Sequence, residues 1–198
     1  MEQPTNDSGF IATRTIEDRI VALGAEIAKY YAQREGQLLV IGLLKGSFIF
    51  LADLVRRIQR PLTVDFIIVQ SNNGGKKPKD LGSKHDPLHI SYMPPPHNIR
   101  GRHVLVVDDI MDSGNTLTQV CQALQRSEPR SVQTCVLLNR VTGAERLVTP
   151  GERFQDAGGL PYPRFIGFNI THSAFVVGYG LDRDEELRHL PYIMRVPT

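Results

Sequence analysis

The feature that most constrains the fold of this chain is a pattern of short apolar runs, each followed by a segment with apolar residues at helical spacing. The run LLVIGLL (residues 38–44) carries no polar side chain and is short enough for a strand that is buried on both faces. After the tripeptide KGS, apolar residues recur at helical spacing from Phe48 to Ile58. The run VLVVD (104–108) precedes a second helical repeat, from Leu117 to Leu124. Strands that alternate with helices predict an α/β fold, with a mainly parallel central sheet and helices on both faces.

Other apolar segments fit the same domain. LTVDFIIV (62–69) and SVQTCVLL (131–138) are predicted to be further strands of the sheet. Three short runs farther on have no helical repeat between them, namely FIGFNI (165–170), AFVVGYG (174–180) and YIMRV (192–196). We expect these three runs to form a small cap subdomain.

The domain is predicted to begin with a helix. Thr15 is the expected N-cap, with Asp18 three residues on, and apolar residues at helical spacing predict an amphipathic helix over residues 15–33. Residues 1–14 then form an N-terminal tail, and residues 15–198 form a single domain.

Two stretches rich in glycine and proline interrupt the pattern. Residues 71–100 contain five prolines and no sustained period, which predicts a long, flexible loop that acts as a lid. Residues 141–164 predict a surface excursion. Neither is a domain linker, because neither separates two pieces that could each build a core.

Composition limits the compartment and the partners. A formal net charge of +2 is too small to indicate a nucleic-acid partner. No apolar run approaches the roughly 20 residues of a membrane span, and the opening MEQPTNDSGF lacks the pattern of a signal peptide. Cys121 and Cys135 are predicted to be apolar thiols and not a disulfide. We expect a cytoplasmic protein with no nucleic-acid or membrane partner.

Three carboxylates crowd the end of the run at 104–108. In VVDDIMDSGNT, Asp108, Asp109 and Asp112 lie within five positions, and residues 113–116 follow them. A strand end and a helix cap would account for one or two of these polar residues, but clustered carboxylates repel one another unless cations or donors lie among them. Ligands of open α/β sheets bind beyond the carboxyl ends of the strands. Backbone amides at a helix N-terminus, with Gly114 allowing close approach, suit a phosphate monoester.

Other motifs with similar residues do not match. The Asp-Asp-x-x-Asp spacing also occurs in all-helical terpenoid enzymes, but here a strand-like run leads into it. The sequence SGNTL lacks the glycine spacing and the lysine of a Walker A loop, and no G-x-G-x-x-G follows a strand. Nucleoside triphosphates and NAD are therefore poor candidate ligands.

The stretch resembles the motif that binds phosphoribosyl diphosphate (PRPP) in type I phosphoribosyltransferases. Five further segments narrow the resemblance to the 6-oxopurine branch, the hypoxanthine-guanine phosphoribosyltransferases: LLKGSFIFLADLV (43–55), VDFI followed by Ser71, FIGFNI, FVVGYGLD (175–182) and RHLPYI (188–193). The resemblance covers nearly the whole chain from about residue 15. It implies the type I phosphoribosyltransferase fold, a homo-oligomer, and Mg²⁺-dependent transfer of the 5-phosphoribosyl group from PRPP to hypoxanthine or guanine in purine salvage.

The resemblance assigns a role to each part of the PRPP site. Loss of diphosphate from C1 of the ribose leaves an oxocarbenium-like cation, so the enzyme must hold the leaving group, fix the sugar and deliver the base. Asp108 and Asp109 would accept hydrogen bonds from the two ribose hydroxyls. Asp112 would be the catalytic acid or base near N7 of the purine. The 5′-phosphate would bind Ser113, Gly114, Asn115 and Thr116, and the diphosphate would bind Lys45, Gly46, Arg188 and Mg²⁺.

The same resemblance assigns the purine site. Phe175 would stack on the base, the Val176 backbone would read its edge, and Asp182 would border the base and help to hold the metal. Arg140 stands where the family generally has a lysine that donates to the 6-oxo group, and its planar fork differs in geometry from an ammonium. The structural alternatives are that Phe175 belongs to the core and that Arg140 and Arg188 are solvated surface residues.

Departures from the family pattern leave other functions open. The family generally has Ser-Tyr where this chain has Ser71 and Asn72, and Tyr92 is a candidate substitute for that lid tyrosine. In many members the bond equivalent to Lys45–Gly46 is a cis peptide. The alternatives are a phosphoribosyltransferase for another base, such as xanthine, and a regulatory protein that binds PRPP or a nucleotide without turnover.

Overall fold

Six strands and four helices account for the main layers of the chain. The computed structural model describes residues 11–70, 88–140, 162–170 and 175–196. The strands of the main sheet are β1 (Leu38–Leu44), β2 (Leu62–Gln70), β3 (His89–Tyr92), β4 (His103–Met111), β5 (Ser131–Arg140) and β6 (Phe165–Ile170). The helices are α1 (Thr13–Tyr31), α2 (Phe48–Val55), α3 (Pro96–Ile99) and α4 (Asn115–Gln125). The strand order is β3-β2-β1-β4-β5-β6, and all neighbours are parallel except β2 and β3.

The centre of the sheet is covered on both faces. Successive side chains of β1 point to opposite sides, so Leu38 and Val40 pack with α1 and α2, whereas Leu39 and Ile41 pack with α4. Both faces of β1 are buried, which explains why its sequence is apolar without alternation. The predicted α/β fold with a mainly parallel sheet is confirmed. Within the described ranges, no helix is long and apolar enough to cross a membrane.

The first helix begins earlier than predicted. Its N-cap is Ala12 and not Thr15, and it runs from Thr13 to Tyr31. Ile11 exchanges two backbone hydrogen bonds of 3.0 Å with Ile193. The predicted boundary of the tail at residue 14 is therefore wrong, because a long-range pairing that no local pattern encodes fixes residues 11–14 to the domain.

Part of the predicted lid forms regular secondary structure. Residues 89–92 form β3, which pairs antiparallel with β2, and residues 96–99 form α3, whose Ile99 is fully buried. The lid prediction is therefore wrong for residues 88–100, where edge pairing and burial override the high proline content. Residues 71–87 lie outside the described part of the chain, as do residues 141–161 of the predicted excursion.

Only two of the three late runs form a cap. FIGFNI is β6, and it pairs parallel with β5 as the sixth strand of the main sheet. The other two runs contain β7 (Phe175–Val177) and β8 (Met194–Val196), which form a separate antiparallel pair. The prediction for FIGFNI was wrong because the connection that precedes it, residues 141–164, carries no helical repeat to indicate a parallel crossover.

The chain order places a crevice at one edge of the sheet. β1 lies between β2 and β4, so the chain leaves β1 toward one side and returns to β4 on the other. The carboxyl ends of β1 and β4 therefore border a topological switch point, where open α/β sheets bind ligands.

Candidate functional site

Three backbone segments meet at this switch point. Gly46 follows β1, and a Cβ atom added to it would lie 1.8 Å from Asp109 Oδ2 at the end of β4. Gly180 follows β7, and a Cβ atom added there would lie 2.2 Å from the Gly46 carbonyl oxygen. Tyr179 anchors this last segment, because its hydroxyl donates a hydrogen bond to Asp53 of α2. Residues predicted to bind the diphosphate and the ribose thus lie against one another. A side chain at position 180 would meet backbone, and one at position 46 would displace the Asp109 carboxylate.

The cis peptide bond lies one position earlier than predicted. It joins Leu44 to Lys45, and Lys45–Gly46 is not cis. The prediction came from the family resemblance, and the close approach of Asp109 to Gly46 is a separate feature of the site.

Asp108 and Asp109 form a compact acidic pair at the end of β4. Asp108 is buried, and its Oδ1 accepts a 3.0 Å hydrogen bond from the Asp109 amide. The Ile110 amide donates in turn to Asp109 Oδ1 at 2.9 Å. Burial, and then the charge of Asp109, raise the pKa of Asp108 well above its ordinary value. Burial also raises the pKa of Asp109, against a lowering contribution from the Arg188 charge. Two adjacent carboxyl groups that water solvates poorly are suited to accept two hydroxyl donors of one ligand.

The loop between β4 and α4 encloses a small cavity. The cavity has a volume of about 100 Å³ and is lined by Asp108 and residues 110–117. Gly114 is the N-cap of α4 with φ of 75°, in the left-handed region, and it offers no side chain to cap the first N–H groups. Thr118 Oγ1 donates to the Gly114 carbonyl at 2.9 Å, which orders the turn from its helical side. The predicted phosphate loop is thus a cavity at a helix N-terminus, the arrangement that binds anions.

Arg140 and Asp112 form an ion pair. Arg140 is the last residue of β5, and its Nε lies 3.3 Å from Asp112 Oδ1. The Arg140 side chain is only 11% exposed, whereas that of Asp112 is 70% exposed. The alternative of a solvated arginine at position 140 is therefore wrong. The residue predicted to bind the purine and the predicted acid-base group are neighbours.

Arg188 is the centre of a second charged group. Its side chain is 18% exposed, so it is not a solvated surface arginine. Nη1 donates to the Gly180 carbonyl at 2.8 Å, and Nη2 lies 2.8 Å from Asp182 Oδ1. Its Nε is buried and has no hydrogen-bond partner among the described residues.

Sequence reasoning missed Glu185, the fourth member of this group. Glu185 Oε2 lies 3.0 Å from Lys45 Nζ and 3.3 Å from Arg188 Nη2. The acidic run DRDEE in the sequence was the only local signal, and it does not indicate which of its carboxylates turns toward the site.

The two cap residues that are predicted to bind the purine differ in exposure. Phe175 opens β7 with 46% of its surface exposed, so the alternative that it belongs to the core is wrong. Val176 is buried, and its backbone pairs with Arg195 of β8. Phe175 thus presents an aromatic surface that the core does not use.

Comparisons with known proteins agree with this geometry. Residues 13–152 match the model of the phosphoribosyl transferase domain. The chain is 38% identical to the hypoxanthine phosphoribosyltransferase of Salmonella typhimurium over 181 residues, which is 91% of this chain and 90% of that protein. It is 36% identical to the hypoxanthine-guanine phosphoribosyltransferase of Mycobacterium avium, over 94% of this chain and 83% of that protein. The chain belongs to the phosphoribosyltransferase family.

Solved structures place this phosphoribosyltransferase in the hypoxanthine-guanine branch. A hypoxanthine-guanine phosphoribosyltransferase from Bacillus anthracis superposes with a TM-score of 0.73 at 30% identity and covers 98% of each chain. A variant of the Trypanosoma cruzi hypoxanthine phosphoribosyltransferase, complexed with the product IMP, superposes with a TM-score of 0.76 at 29% identity, over 99% of this chain and 94% of that one. The type I phosphoribosyltransferase fold is therefore confirmed.

Tyr92 does not take the place of the missing lid tyrosine. It lies in β3, and its hydroxyl is 3.5 Å from Asp65 Oδ1, five residues before the end of β2. The tyrosine therefore points back along β2, away from the carboxyl edge where the phosphoribosyltransferase site lies. Asn72 is outside the described residues.

The acidic residues of the site fit a metal that a ligand helps to hold. Among the described residues, no group of three or more acidic, histidine or cysteine side chains could enclose an ion by itself. Asp182 Oδ1 faces Arg188, and Asp182 Oδ2 accepts a 2.9 Å hydrogen bond from the Glu185 amide. Mg²⁺ usually takes one or two protein carboxylates, several waters and substrate phosphates. Asp182 is a carboxylate of this kind, and it lies beside Arg188, which is predicted to bind the diphosphate.

Proposed function

We propose that this phosphoribosyltransferase transfers the 5-phosphoribosyl group from PRPP to hypoxanthine or guanine in purine salvage, giving IMP or GMP and diphosphate. The observation that carries the proposal is the contact of Asp109 with Gly46 at the switch point. It brings one of the two proposed hydroxyl-binding carboxylates, that of Asp109, against the segment that would hold the diphosphate. The names of the relatives support the choice of base.

The PRPP half of the reaction uses fixed groups around the ribose. The amides of residues 113–116 and the cavity beside them hold the 5′-phosphate, and Asp108 and Asp109 accept the ribose hydroxyls. Lys45, the Gly46 backbone and Arg188 hold the diphosphate. These contacts fix C1 between the leaving group and the base, and the nearby carboxylates stabilise the positive charge that develops there.

The base half uses the pair of Arg140 and Asp112. The guanidinium donates to the 6-oxo group of the purine, and the Asp112 carboxylate exchanges a proton at N7. Phe175 stacks on the base, and the Val176 backbone reads its edge. Because Arg140 and Asp112 are in contact, a bound 6-oxopurine meets its donor and its acid-base group along one edge.

Mg²⁺ is the proposed cofactor, held by Asp182 and by the oxygens of the bound diphosphate. When bound, it neutralises the charge of the leaving group. Lys45 and Arg188 then orient the diphosphate, and the backbone at Gly46 excludes water from that side.

Steady-state assays test the function. Purified protein is supplied with PRPP, Mg²⁺ and one of hypoxanthine, guanine, xanthine or adenine, and nucleotide formation is followed by absorbance. We expect turnover with hypoxanthine or guanine. Binding of PRPP without turnover of any base would instead support the regulatory alternative.

Xanthine is a second candidate substrate for one specific reason. Arg140 is largely buried and offers a fork of donors where the family generally has a single ammonium. A fork can serve a base with a second exocyclic oxygen. Higher kcat/KM with xanthine than with hypoxanthine would establish this alternative.

A homo-oligomer is proposed from the surface of β2. Val64, Phe66 and Ile68 alternate along one face of this strand, and each exposes between 38% and 41% of its surface. An apolar stripe of this kind is typical of a subunit contact. Phe66→Asp should lower the mass measured by sedimentation, and an unchanged mass would show that this face is not the subunit contact.

The proposed location is the cytoplasm, with no nucleic-acid or membrane partner. The support is the small net charge and the two cysteines, Cys121 and Cys135, which are free thiols.

A further inference from the structure

One carboxylate oxygen bridges the two side-chain cations assigned to the diphosphate. Glu185 Oε2 accepts a hydrogen bond from Lys45 Nζ at 3.0 Å and lies 3.3 Å from Arg188 Nη2. These two contacts lower the pKa of Glu185, so its carboxylate is ionised at neutral pH. An anionic oxygen shared between an ammonium and a guanidinium makes the contacts that a phosphate oxygen makes.

The backbone holds Glu185 in this position. Its amide donates to Asp182 Oδ2 at 2.9 Å, and Asp182 Oδ1 lies 2.8 Å from the same Nη2 of Arg188. Glu185 has φ of 68°, in the left-handed region, and so do its neighbour Asp184 at 55° and Leu187 at 68°. Non-glycine residues rarely adopt this conformation, so the turn is specified and presents the Glu185 side chain to the two cations.

We propose that Glu185 is an internal competitor for the diphosphate group, which sets the affinity of the site for PRPP and for the diphosphate product. The inference rests on the proposed function, because it takes Lys45 and Arg188 to be diphosphate ligands. A diphosphate can engage both cations fully only if the Glu185 carboxylate moves away. The cost of that exchange weakens binding, and the return of the carboxylate favours release.

The exposure of Lys45 and Glu185 limits how much the Glu185 carboxylate weakens diphosphate binding. The Lys45 and Glu185 side chains are 68% and 64% exposed, so water and salt screen their attraction. Exposed ion pairs of this kind change equilibria by about two- to five-fold at moderate salt. Arg188 keeps its contacts with Gly180 and Asp182 when Glu185 leaves, so the exchange does not dismantle the turn.

Calorimetry with two variants tests the proposal. Glu185→Gln removes the competing charge, and Glu186→Gln removes the same charge one residue along. Glu186 is exposed and its backbone pairs with Arg183, so it is a matched control that leaves the diphosphate ligands alone. Sodium diphosphate is titrated into each intact protein with and without Mg²⁺, and GMP is titrated separately.

We expect Glu185→Gln to bind diphosphate about two- to five-fold more tightly than wild type at roughly 0.1 M salt, and the gain to shrink near 1 M salt. Its affinity for GMP should not change, because the nucleotide uses the 5′-phosphate loop. Glu186→Gln should match wild type with both ligands.

Three results separate the possible failures. Normal GMP binding with unchanged or weaker diphosphate binding in Glu185→Gln would overturn the proposal and leave the proposed function standing. An equal gain in Glu186→Gln would also overturn it, because the effect would then be one of general charge. If the wild-type protein bound neither GMP nor diphosphate, the proposed function itself would fail.

Discussion

Arg140 is the residue at which this chain departs most informatively from its family, and its replacement should separate binding of the base from binding of PRPP. The side chain is 11% exposed and lies 3.3 Å from Asp112. If it donates to the 6-oxo group, Arg140→Ala leaves that buried acceptor without a partner. Such a loss costs about 1 to 3 kcal/mol, or roughly one to two decades in affinity. We therefore expect the KM for hypoxanthine or guanine to rise by that factor while the KM for PRPP stays near its original value.

Stability should also fall, because Arg140→Ala removes a side chain that is largely buried. Asp112 is 70% exposed, so water solvates its carboxylate once the guanidinium is gone. The ionic part of the cost is therefore about 0 to 1 kcal/mol. Arg140→Lys is the matched variant, because it keeps the charge and restores the usual family residue. It should retain or improve use of hypoxanthine and guanine, and it should lose any use of xanthine that depends on the fork.

Steady-state kinetics with each base, together with thermal unfolding, test whether Arg140 contacts the purine. If both variants kept the wild-type KM for every base, Arg140 would not contact the purine, and recognition would rest on Phe175, Val176 and Asp182. A large loss of stability with an unchanged KM would make Arg140 a structural partner of Asp112 alone.

Three further substitutions test the rest of the site. Asp112→Asn should lower kcat by about 10² to 10⁴ while PRPP affinity measured by calorimetry is retained; turnover near wild type would exclude an acid-base role. Gly46→Ala adds a Cβ atom 1.8 Å from Asp109 Oδ2, so the carboxylate must shift and the KM for PRPP should rise at least about tenfold; an unchanged KM would mean that Asp109 does not bind the ribose. Asp108→Asn should abolish PRPP binding yet raise the free energy of unfolding at pH 8. Because the pKa of Asp108 is raised in the folded protein, the wild type loses stability as the pH rises through that value, so the advantage of the variant should vanish near pH 4. A gain that was independent of pH in denaturant unfolding would contradict the buried charge.

The sequence could predict the parts of the site that follow directly from buried strands. LLVIGLL and the VLVV of VLVVD are apolar at every position because both faces of β1 and β4 are covered, and an apolar run this short is typical of such strands. Once two parallel strands are assigned, their carboxyl ends must lie at the same edge. Chain direction therefore places Gly46 and Asp109 at the same edge, and the pairing of β1 with β4 brings them into contact.

What the sequence could not predict depends on pairing between distant segments. β3 pairs with β2 although proline-rich sequence surrounds it, and β6 joins β5 without a helical repeat before it. The start of α1 is set by the pairing of Ile11 with Ile193, which are far apart in the sequence. In each case pairing with a distant segment stabilises the element, and the local sequence does not indicate which segment that is.

Charge pairing in the site has the same origin, because the sequence suggests a role for each charged residue but does not indicate its partner. The carboxylate of Asp112 and the guanidinium of Arg140 were each assigned to the base, and Lys45 and Arg188 were each assigned to the diphosphate. In the folded chain Asp112 and Arg140 pair with one another, and Glu185 and Asp182 together balance the charges of Lys45 and Arg188. A site that must bind two highly polar substrates needs these charges, yet clustered like charges would destabilise the fold if they stood alone. Internal pairs meet both demands, because they balance the charges of the free site. The diphosphate can then take the place of Glu185 at Lys45 and Arg188, and the neutral purine can form hydrogen bonds with Arg140 and Asp112.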